Sequence, residues 1–366
     1  MKCNVSRKDL MRLLERCKSG TDPKSAEPAL HCVLLRASGE TLSAFGTTLQ
    51  TSVYTDCQCA VTEEGAAAVS IEKLRNAVKA MPDGMVSLKV DHAKLATTVT
   101  CTGQRKYTIH GINPDHYPVR ELAPKNLDWF TIPSKTCKEA IERTRPAAST
   151  DADRKNLNGI QFEFSPKLMR AIGFNGYIMS CFEHPNAYDH VDGAVFLPYS
   201  TIALIMSTDD DISLAYTDRA VFVNAGVDRV SALLPQTPFP PWKNVREQCS
   251  TTLQCRFDVQ QLILAVRAVT AVTRSDVQLD LKRSTLHLKL VNVPDSESED
   301  AVQVDAEPGA KFTVTLNPEY LLNVLQGCGG GIGELRFSMK ETYCPVAFSA
   351  DDGFFGVVTP VAPVQK

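Results

Sequence analysis

The sequence predicts an α+β protein built from three repeats of one unit. Two observations carry that prediction: helical periodicities recur in one order about every 122 residues, and strand-like alternation fills the intervals between them. The first periodicity, Ser6 to Lys18, has apolar residues at Leu10, Leu13, Leu14 and Cys17, one helical face, behind a serine able to cap it. Similar stretches open at Ser134, with Cys137, Ala140, Ile141 and Thr144, and at Asp258, with Val259, Leu262, Ile263 and Val266. Their offsets are 128 and 124 residues. A second helix follows in each unit, at Ser70–Met81, Pro198–Ser207 and Asn317–Gln326, with offsets of 128 and 119. Alternating strands come next, at Val86–Val90, Ile212–Tyr216 and Leu335–Met339. Tyr117-Pro118 and Phe239-Pro240 close the first two units, so domains are expected at 1–123, 124–247 and 248–366.

Composition narrows the class. The chain has 366 residues, 43% hydrophobic and 22% charged, enough to bury several cores. No run reaches the ~18 apolar residues that a membrane span requires, and Met1-Lys2-Cys3-Asn4 does not open a signal peptide, so a cytosolic protein is expected. Twelve cysteines are scattered, several within apolar runs (Cys17, Cys32, Cys137, Cys181), which predicts buried thiols and no disulfide framework. Cys57-Gln-Cys59 lacks a second pair or a histidine at ligand spacing, so no metal is expected.

The net charge of −3 argues against a nucleic-acid partner until its distribution is read. The six predicted helices (the third-unit one taken as 258–274) together carry +7, leaving −10 for the strands and loops. Arg12 and Arg16 lie beside the apolar stripe of the first helix, and Arg75 and Lys79 do the same on the second. Such segregation predicts one basic surface on repeated helices, meeting backbone phosphate without base readout. Each helix taken singly reads better as an ordinary solvated face, and only the sum over the repeated elements favours a basic surface.

Several segments together carry a family resemblance: Ile141-Glu-Arg-Thr-Arg145, Asp153-Arg-Lys-Asn-Leu-Asn-Gly-Ile-Gln-Phe-Glu163, Leu42-Ser-Ala-Phe-Gly-Thr-Thr48, Leu233-Leu-Pro-Gln-Thr-Pro-Phe-Pro240 and Val357-Val-Thr-Pro-Val361. In order and over essentially the whole chain, they resemble the bacterial DNA polymerase III beta sliding clamp. The resemblance implies three clamp domains, each with two helices and two small antiparallel sheets, in a head-to-tail homodimer that closes a six-domain ring around duplex DNA. It further implies a non-enzymatic processivity factor, without cofactor, in the cytoplasm at the nucleoid. The implied partners are the polymerase III catalytic subunit, the clamp loader and other proteins carrying a short hydrophobic motif. An accessory clamp with one dedicated partner is the alternative.

Residue by residue, the resemblance implies a client-peptide pocket from Arg154, Leu157, Phe174, Gly176, Met179, Pro240 and Val245, completed by Val357, Thr359, Pro360 and Val361. Phe174, Met179, Thr359 and Val361 depart from the family's usual residues. DNA-facing cations are expected at Arg12, Arg16, Lys24, Lys73, Arg75, Lys79, Lys135, Lys138, Arg143, Arg145, Arg267 and Arg274, whereas Tyr199 and Ser200 stand where a basic pair is usual. The dimer contact is expected to join Tyr107 and Ile109 to Val269 and Val272. Removing residues 357–366 is expected to abolish client binding and spare the dimer.

Enzymatic readings have weaker support. Gly327-Cys-Gly-Gly-Gly-Ile-Gly333 follows a helix and precedes a strand, the reverse of a phosphate loop, so it reads as a helix-ending turn. Asp209-Asp-Asp211 reads as a solvated turn, and His184, Asp189 and His190 as exposed loop residues. No catalytic residues are expected.

Overall fold

The computed structural model describes residues 1–101, 105–120, 122–185, 192–249, 252–337 and 344–361. The first third holds β1 (Lys2–Ser6), α1 (Arg7–Cys17), β2 (Cys32–Ser38), β3 (Thr41–Thr47), β4 (Thr51–Gln58), β5 (Ala60–Glu63), β6 (Gly65–Ser70), α2 (Ile71–Lys79), β7 (Met85–Asp91), β8 (Ala96–Cys101) and β9 (Lys106–His110). The second holds β10 (Phe130–Ile132), α3 (Ser134–Thr144), β11 (Gly159–Ser165), β12 (Leu168–Phe174), β13 (Ile178–Pro185), β14 (Gly193–Pro198), α4 (Tyr199–Ser207), β15 (Ile212–Tyr216), β16 (Ala220–Ala225), β17 (Asp228–Leu233) and α5 (Trp242–Gln248). The third holds β18 (Leu253–Asp258), α6 (Val259–Val269), β19 (Val277–Lys282), β20 (Thr285–Leu290), β21 (Glu299–Gln303), β22 (Asp305–Ala306), β23 (Phe312–Leu316), α7 (Pro318–Gly327), β24 (Ile332–Arg336), β25 (Val346–Ala350) and β26 (Phe354–Val358).

The helices follow from their patterns and caps. Leu10, Leu13, Leu14 and Cys17 are buried on α1, and Ser6 accepts a hydrogen bond from the Asp9 backbone N–H at 3.0 Å. Such a cap is worth about 1 kcal/mol. Asp258 caps α6 through Gln261 N–H at 2.8 Å, and Asn317 caps α7 through Glu319 and Tyr320. Ser134 is not a cap: it is the first residue of α3, and its N–H is satisfied instead by the Asp211 carboxylate at 3.1 Å. The predicted helix 258–274 stops at Val269, with Thr270 as its C-cap. The segment expected at Leu335–Met339 is β24, Ile332–Arg336, and positions 338 and 339 lie outside the described residues.

Strand order repeats with the helices. The strands after each first helix, with the one before each second helix, run β4-β3-β2-β6, β13-β12-β11-β14 and β21-β20-β19-β23. The strand before each first helix joins those after the second, as β1-β7-β8-β9, β10-β15-β16-β17 and β18-β24-β25-β26. Pairing of β17 with β4 makes an eight-stranded sheet, and pairing of β13 with β26 makes a nine-stranded one, each drawing strands from two repeats. By contacts the chain divides into two compact units, Met1–Cys137 with Pro198–Leu234, and Lys138–Leu197 with Pro235–Lys366. Each unit contains one of these shared sheets, which is why its limits do not follow the repeat boundaries. A five-stranded sheet (β5-β1-β7-β8-β9) remains in the first unit and a four-stranded sheet (β21-β20-β19-β23) in the second.

No helix among the described residues is long and apolar enough to cross a membrane. Ten of the twelve cysteines are buried and all are unbridged.

Candidate peptide groove, basic helices and open sheet edges

In the second unit, Ile172, Met179, Cys181, Trp242, Cys249, Ala347 and Val357 form one buried cluster, with Phe174, Phe239, Val245 and Phe355 packed against it half-buried. Four of the expected groove residues, Phe174, Met179, Val245 and Val357, therefore meet. Met179 and Val357 are directly paired across β13 and β26 and lie beneath the surface as floor. The β12–β13 turn is built by Asn175, whose side-chain oxygen accepts from Tyr177 and Ile178 N–H at 2.9 Å each, while Gly176 adopts a φ of +96°. A side chain at that φ would be strained, so glycine suits the position. Arg154 donates to the Asn175 carbonyl at 3.1 Å and remains half exposed beside Asp151. Leu157 is nearly covered, and Pro240 is half-buried, accepting from Trp242 N–H at 2.7 Å.

Thr359 is stitched to the same turn. Thr359 donates to the Tyr177 carbonyl from both N–H (3.0 Å) and hydroxyl (2.8 Å), and Val361 N–H donates to Thr315 at 2.9 Å. Pro360 and Val361 are half-buried. The Tyr177 ring, 52% exposed, stacks on Tyr320 of α7 with centroids 5.5 Å apart.

Sequence reasoning missed Trp242, Arg246, Tyr177 and Tyr320. Trp242 begins α5, a short helix masked by the preceding prolines, and its indole N–H donates to Glu163 at 2.7 Å. Arg246 of α5 lies over Phe355 and shares Glu183 with Arg170, at 2.6 and 2.9 Å. Burial pushes the Glu183 carboxyl up, but hydrogen bonds from the two arginines outweigh it and hold the group below the usual carboxylate range. One of only two tryptophans, set after Pro-Pro, was the available signal.

The expected DNA-facing cations divide into two kinds. Lys24, Lys73, Lys79 and Lys135 are exposed, as are Arg267 and Arg274, which flank a groove of about 610 Å³ where α6 ends and α7 begins. Arg12 is half exposed, 3.4 Å from Asp9, and lines a cleft of about 450 Å³ with Lys18 beside α4. Arg145 is exposed and Lys138 half-buried, both with contacts of their own. Arg16, Arg75 and Arg143 are engaged internally. Arg75 pairs with Glu15, and Arg16 with Asp228, whose side chain is fully buried. Arg143 reaches Asp352 at 2.6 Å, Glu139 at 3.4 Å and the Phe182 ring at 4.9 Å. Helical periodicity placed these three beside the core, and carboxylates from distant strands and helices occupy them there. Ser200 accepts from Thr51 at 2.9 Å.

At the expected dimer contact, Tyr107 and Ile109 lie on β9, an edge strand of the five-stranded sheet. Val269 is fully buried against its own unit and offers no surface, because it lies on the α6 face that carries Leu262 and Val266. The exposed apolar residues there are Val272 (70%) and Leu264 (62%), the latter unforeseen.

The turn readings of the glycine and aspartate motifs agree with the geometry, but His184 is not an exposed loop residue: it lies in β13, half-buried and paired with Met169, because the strand runs on to Pro185. Gly327 ends α7, with Gly329 and Gly331 at positive φ before β24. Asp211 serves α3, and Asp210 accepts from the Thr208 hydroxyl at 3.1 Å. His184 contacts the Pro185 carbonyl at 2.7 Å, while Asp189 and His190 lie outside the described residues.

This combination of repeated α+β units, shared sheets and open sheet edges defines the sliding-clamp fold. Residues 1–122 match the family of the DNA polymerase III beta subunit, N-terminal domain. The chain is similar to the beta sliding clamps of Pseudomonas putida (24% identity, 89% of this chain and 90% of that one) and Caulobacter vibrioides (23%, 99% and 100%). A crystal structure of the DNA polymerase sliding clamp from Caulobacter crescentus superposes with a TM-score of 0.87 at 23% identity, covering 99% of this chain and 100% of that one. The beta subunit from Pseudomonas aeruginosa gives 0.86 at 21%, with the same coverage. The first third of the chain thus matches a beta-subunit N-terminal domain, and the whole chain has the beta sliding clamp fold.

Proposed function

We infer that this chain is a replication sliding clamp: two copies close head to tail around duplex DNA and tether a polymerase and other clients to it, without catalysis of their own. The observation that carries the reading is the sheet left over at each end of the repeat. Within the chain, the last strand of one repeat's second half-sheet (β17, β26) pairs with the preceding repeat's first half-sheet (β4, β13). Continued once more, β9 would pair with β21 of a second copy, joining two edge strands that otherwise expose unpaired backbone. Their ends are complementary in charge, Lys106 on β9 against Glu299 and Asp300 on β21. Leu264 and Val272 supply apolar surface suited to the same seam. Three clamp domains, 1–123, 124–247 and 248–366, follow from the recurring half-sheets, and the family match over residues 1–122 supports the first.

Duplex DNA is the partner of the basic helices, held through phosphates by Arg12, Lys24, Lys73, Lys79, Lys135, Arg267 and Arg274. The groove around Phe174, Val245, Tyr177 and Thr359 receives short hydrophobic motifs from the polymerase III catalytic subunit, the clamp loader and other clients, at an apolar floor with polar rim groups. A cytoplasmic, nucleoid-associated location follows from that partner.

Light scattering followed by retention on circular DNA, with clamp loader and ATP, tests the ring. A dimer mass and release only after linearisation are expected. A monomer at all concentrations, or retention indifferent to DNA ends, overturns the reading. The combined variant Arg12→Ala, Lys73→Ala, Lys79→Ala is expected to lower the salt dependence of DNA association by a log–log slope of up to about 3. An unchanged slope places the DNA elsewhere. The alternative, a clamp serving a single dedicated partner, rests on the groove's departures at Phe174, Met179, Thr359 and Val361 and on Tyr199 and Ser200 in place of a basic pair. Comparable binding of several unrelated client peptides excludes that alternative.

A further inference from the structure

The joint between β17 and β4 in the first unit matches, pair by pair, the joint between β26 and β13 that carries the groove of the second. Ala232, Ser231 and Arg229 pair with Thr51, Ser52 and Tyr54, as Val358, Val357 and Phe355 pair with Ile178, Met179 and Cys181. Leu233 N–H donates to the Gln50 carbonyl at 2.8 Å, as Thr359 N–H does to the Tyr177 carbonyl at 3.0 Å. The turns between the paired strands match too, with Leu49 at a φ of +67° and Gly176 at +96°. Tyr117, before Pro118, packs in the apolar cluster of the first joint, and Phe239, before Pro240, packs against that of the second.

The chemistry at the matching positions differs. Ser52 and Ser231 stand where Met179 and Val357 floor the second unit's groove. Thr47, whose hydroxyl meets that of Ser52 at 2.9 Å, stands where Phe174 does, and Arg229 where Phe355 does. Beside Arg229 opens a hollow of about 450 Å³, walled by Leu122, Ala123, Phe222 and Val230. Asn224 lines it as well, paired with Arg229 across β16 and β17. Both joints set an arginine over an aromatic ring, but only one of the two is neutralised. Arg246 lies over Phe355 and donates to Glu183 at 2.6 Å. Arg229 lies 5.6 Å from the centre of the Tyr54 ring, exposed and without an ion pair among the described residues. Asp56, two residues after Tyr54 as Glu183 is two after Cys181, accepts from the Tyr54 hydroxyl at 3.2 Å. A guanidinium resting on a ring face is held in place while its N–H fork stays open to a carboxylate.

We propose that the hollow beside Arg229 is a second peptide site, which takes a client segment carrying an acidic residue next to an aliphatic one. The carboxylate meets the Arg229 fork, and the aliphatic side chain lies against Leu122 and Phe222. The proposal rests on reading the second unit's groove as a peptide site, whose joint this one matches. The two differ in selectivity: an apolar floor takes hydrophobic side chains, whereas an unpaired cation beside an apolar wall requires the acid as well.

Anisotropy titrations of the full chain test it, with acetyl-Ser-Glu-Leu-Ser and acetyl-Ser-Gln-Leu-Ser peptides carrying a neutral dye. Each is run with and without an unlabelled hydrophobic client peptide that saturates the second unit's groove. The glutamate peptide is expected to bind about tenfold tighter than the glutamine one, the scale of a charge-assisted hydrogen bond, and to keep its affinity beside the client peptide. Arg229→Gln is expected to erase that difference, and Arg229→Lys, which keeps the charge without the fork, to restore part of it. Leu122→Ala is expected to weaken both peptides. Should that variant lose its fold, a Ser-Glu-Gly-Ser peptide probes the same wall from the ligand side. Displacement by the client peptide, a glutamate preference that survives Arg229→Gln, equal affinity for Ser-Glu-Gly-Ser, or no binding of either probe overturns the proposal. Arg229-dependent binding in a chain that takes no hydrophobic client peptide overturns instead the reading of the second unit's groove.

Discussion

Arg16→Ala is expected to lower the stability of the first unit by about 3–5 kcal/mol, the loss typical when one partner of a buried ion pair is removed. The Asp228 side chain is fully buried, and Arg16 is its only ion-pair partner among the described residues. Neither carboxylate oxygen, nor the neighbouring Thr55 hydroxyl, has a well-aligned hydrogen bond there. Burial already pushes the Asp228 carboxyl above its usual range, against the pull of Arg16, and removing the guanidinium raises it further. The sign follows from proton linkage. A carboxyl whose folded pKa exceeds its unfolded value weakens the fold as pH rises through that interval, and the penalty vanishes below the unfolded value. The variant's deficit should therefore be largest at neutral pH and shrink towards the ordinary aspartate range. Urea unfolding of variant and wild type at neutral and mildly acidic pH checks this. A deficit below about 1 kcal/mol, or one that widens on acidification, would mean that the pair is not the anchor it is taken for.

Ending the chain after Val358 is expected to weaken client-peptide binding by at least about a hundredfold while leaving the melting temperature nearly unchanged. Interface energy concentrates in a few anchors worth about 2 kcal/mol or more each, and this cut removes Thr359, Pro360 and Val361 together. The geometry moves the cut from the position expected on the sequence. Val357 and Val358 are buried in β26 and paired with Met179 and Ile178, so a deletion from 357 would also unzip the joint between β13 and β26. Fluorescence anisotropy with a labelled hydrophobic client peptide, beside a thermal melt, separates the two effects. Full affinity after the cut would place the groove elsewhere.

Local and tertiary information divide cleanly here. The helices were legible because Leu10, Leu13, Leu14 and Cys17, and their counterparts, repeat at helical spacing and need no knowledge of what lies opposite. The repeat was legible for the same reason. The groove residues Phe174, Met179, Val245 and Val357 came through family resemblance, and packing brings them into one cluster. Trp242 escaped notice because it acts through Glu163, a partner far away in sequence. Val269 was misplaced because its dimer role came through the resemblance, whereas its spacing from Leu262 and Val266 puts it on the covered face of α6.

The sequence by itself determined the α+β class, the three-fold recurrence and the concentration of positive charge on helices, since each depends on residue type and spacing within about a dozen positions. Only the tertiary structure decided which cations are free. Arg16, Arg143 and Arg267 all stand in the last turn of a repeat's first helix, yet Asp228 and Asp352 neutralise the first two while Arg267 has no ion pair among the described residues. Each of those partners arrives from more than two hundred residues away along the chain, where no local pattern records it.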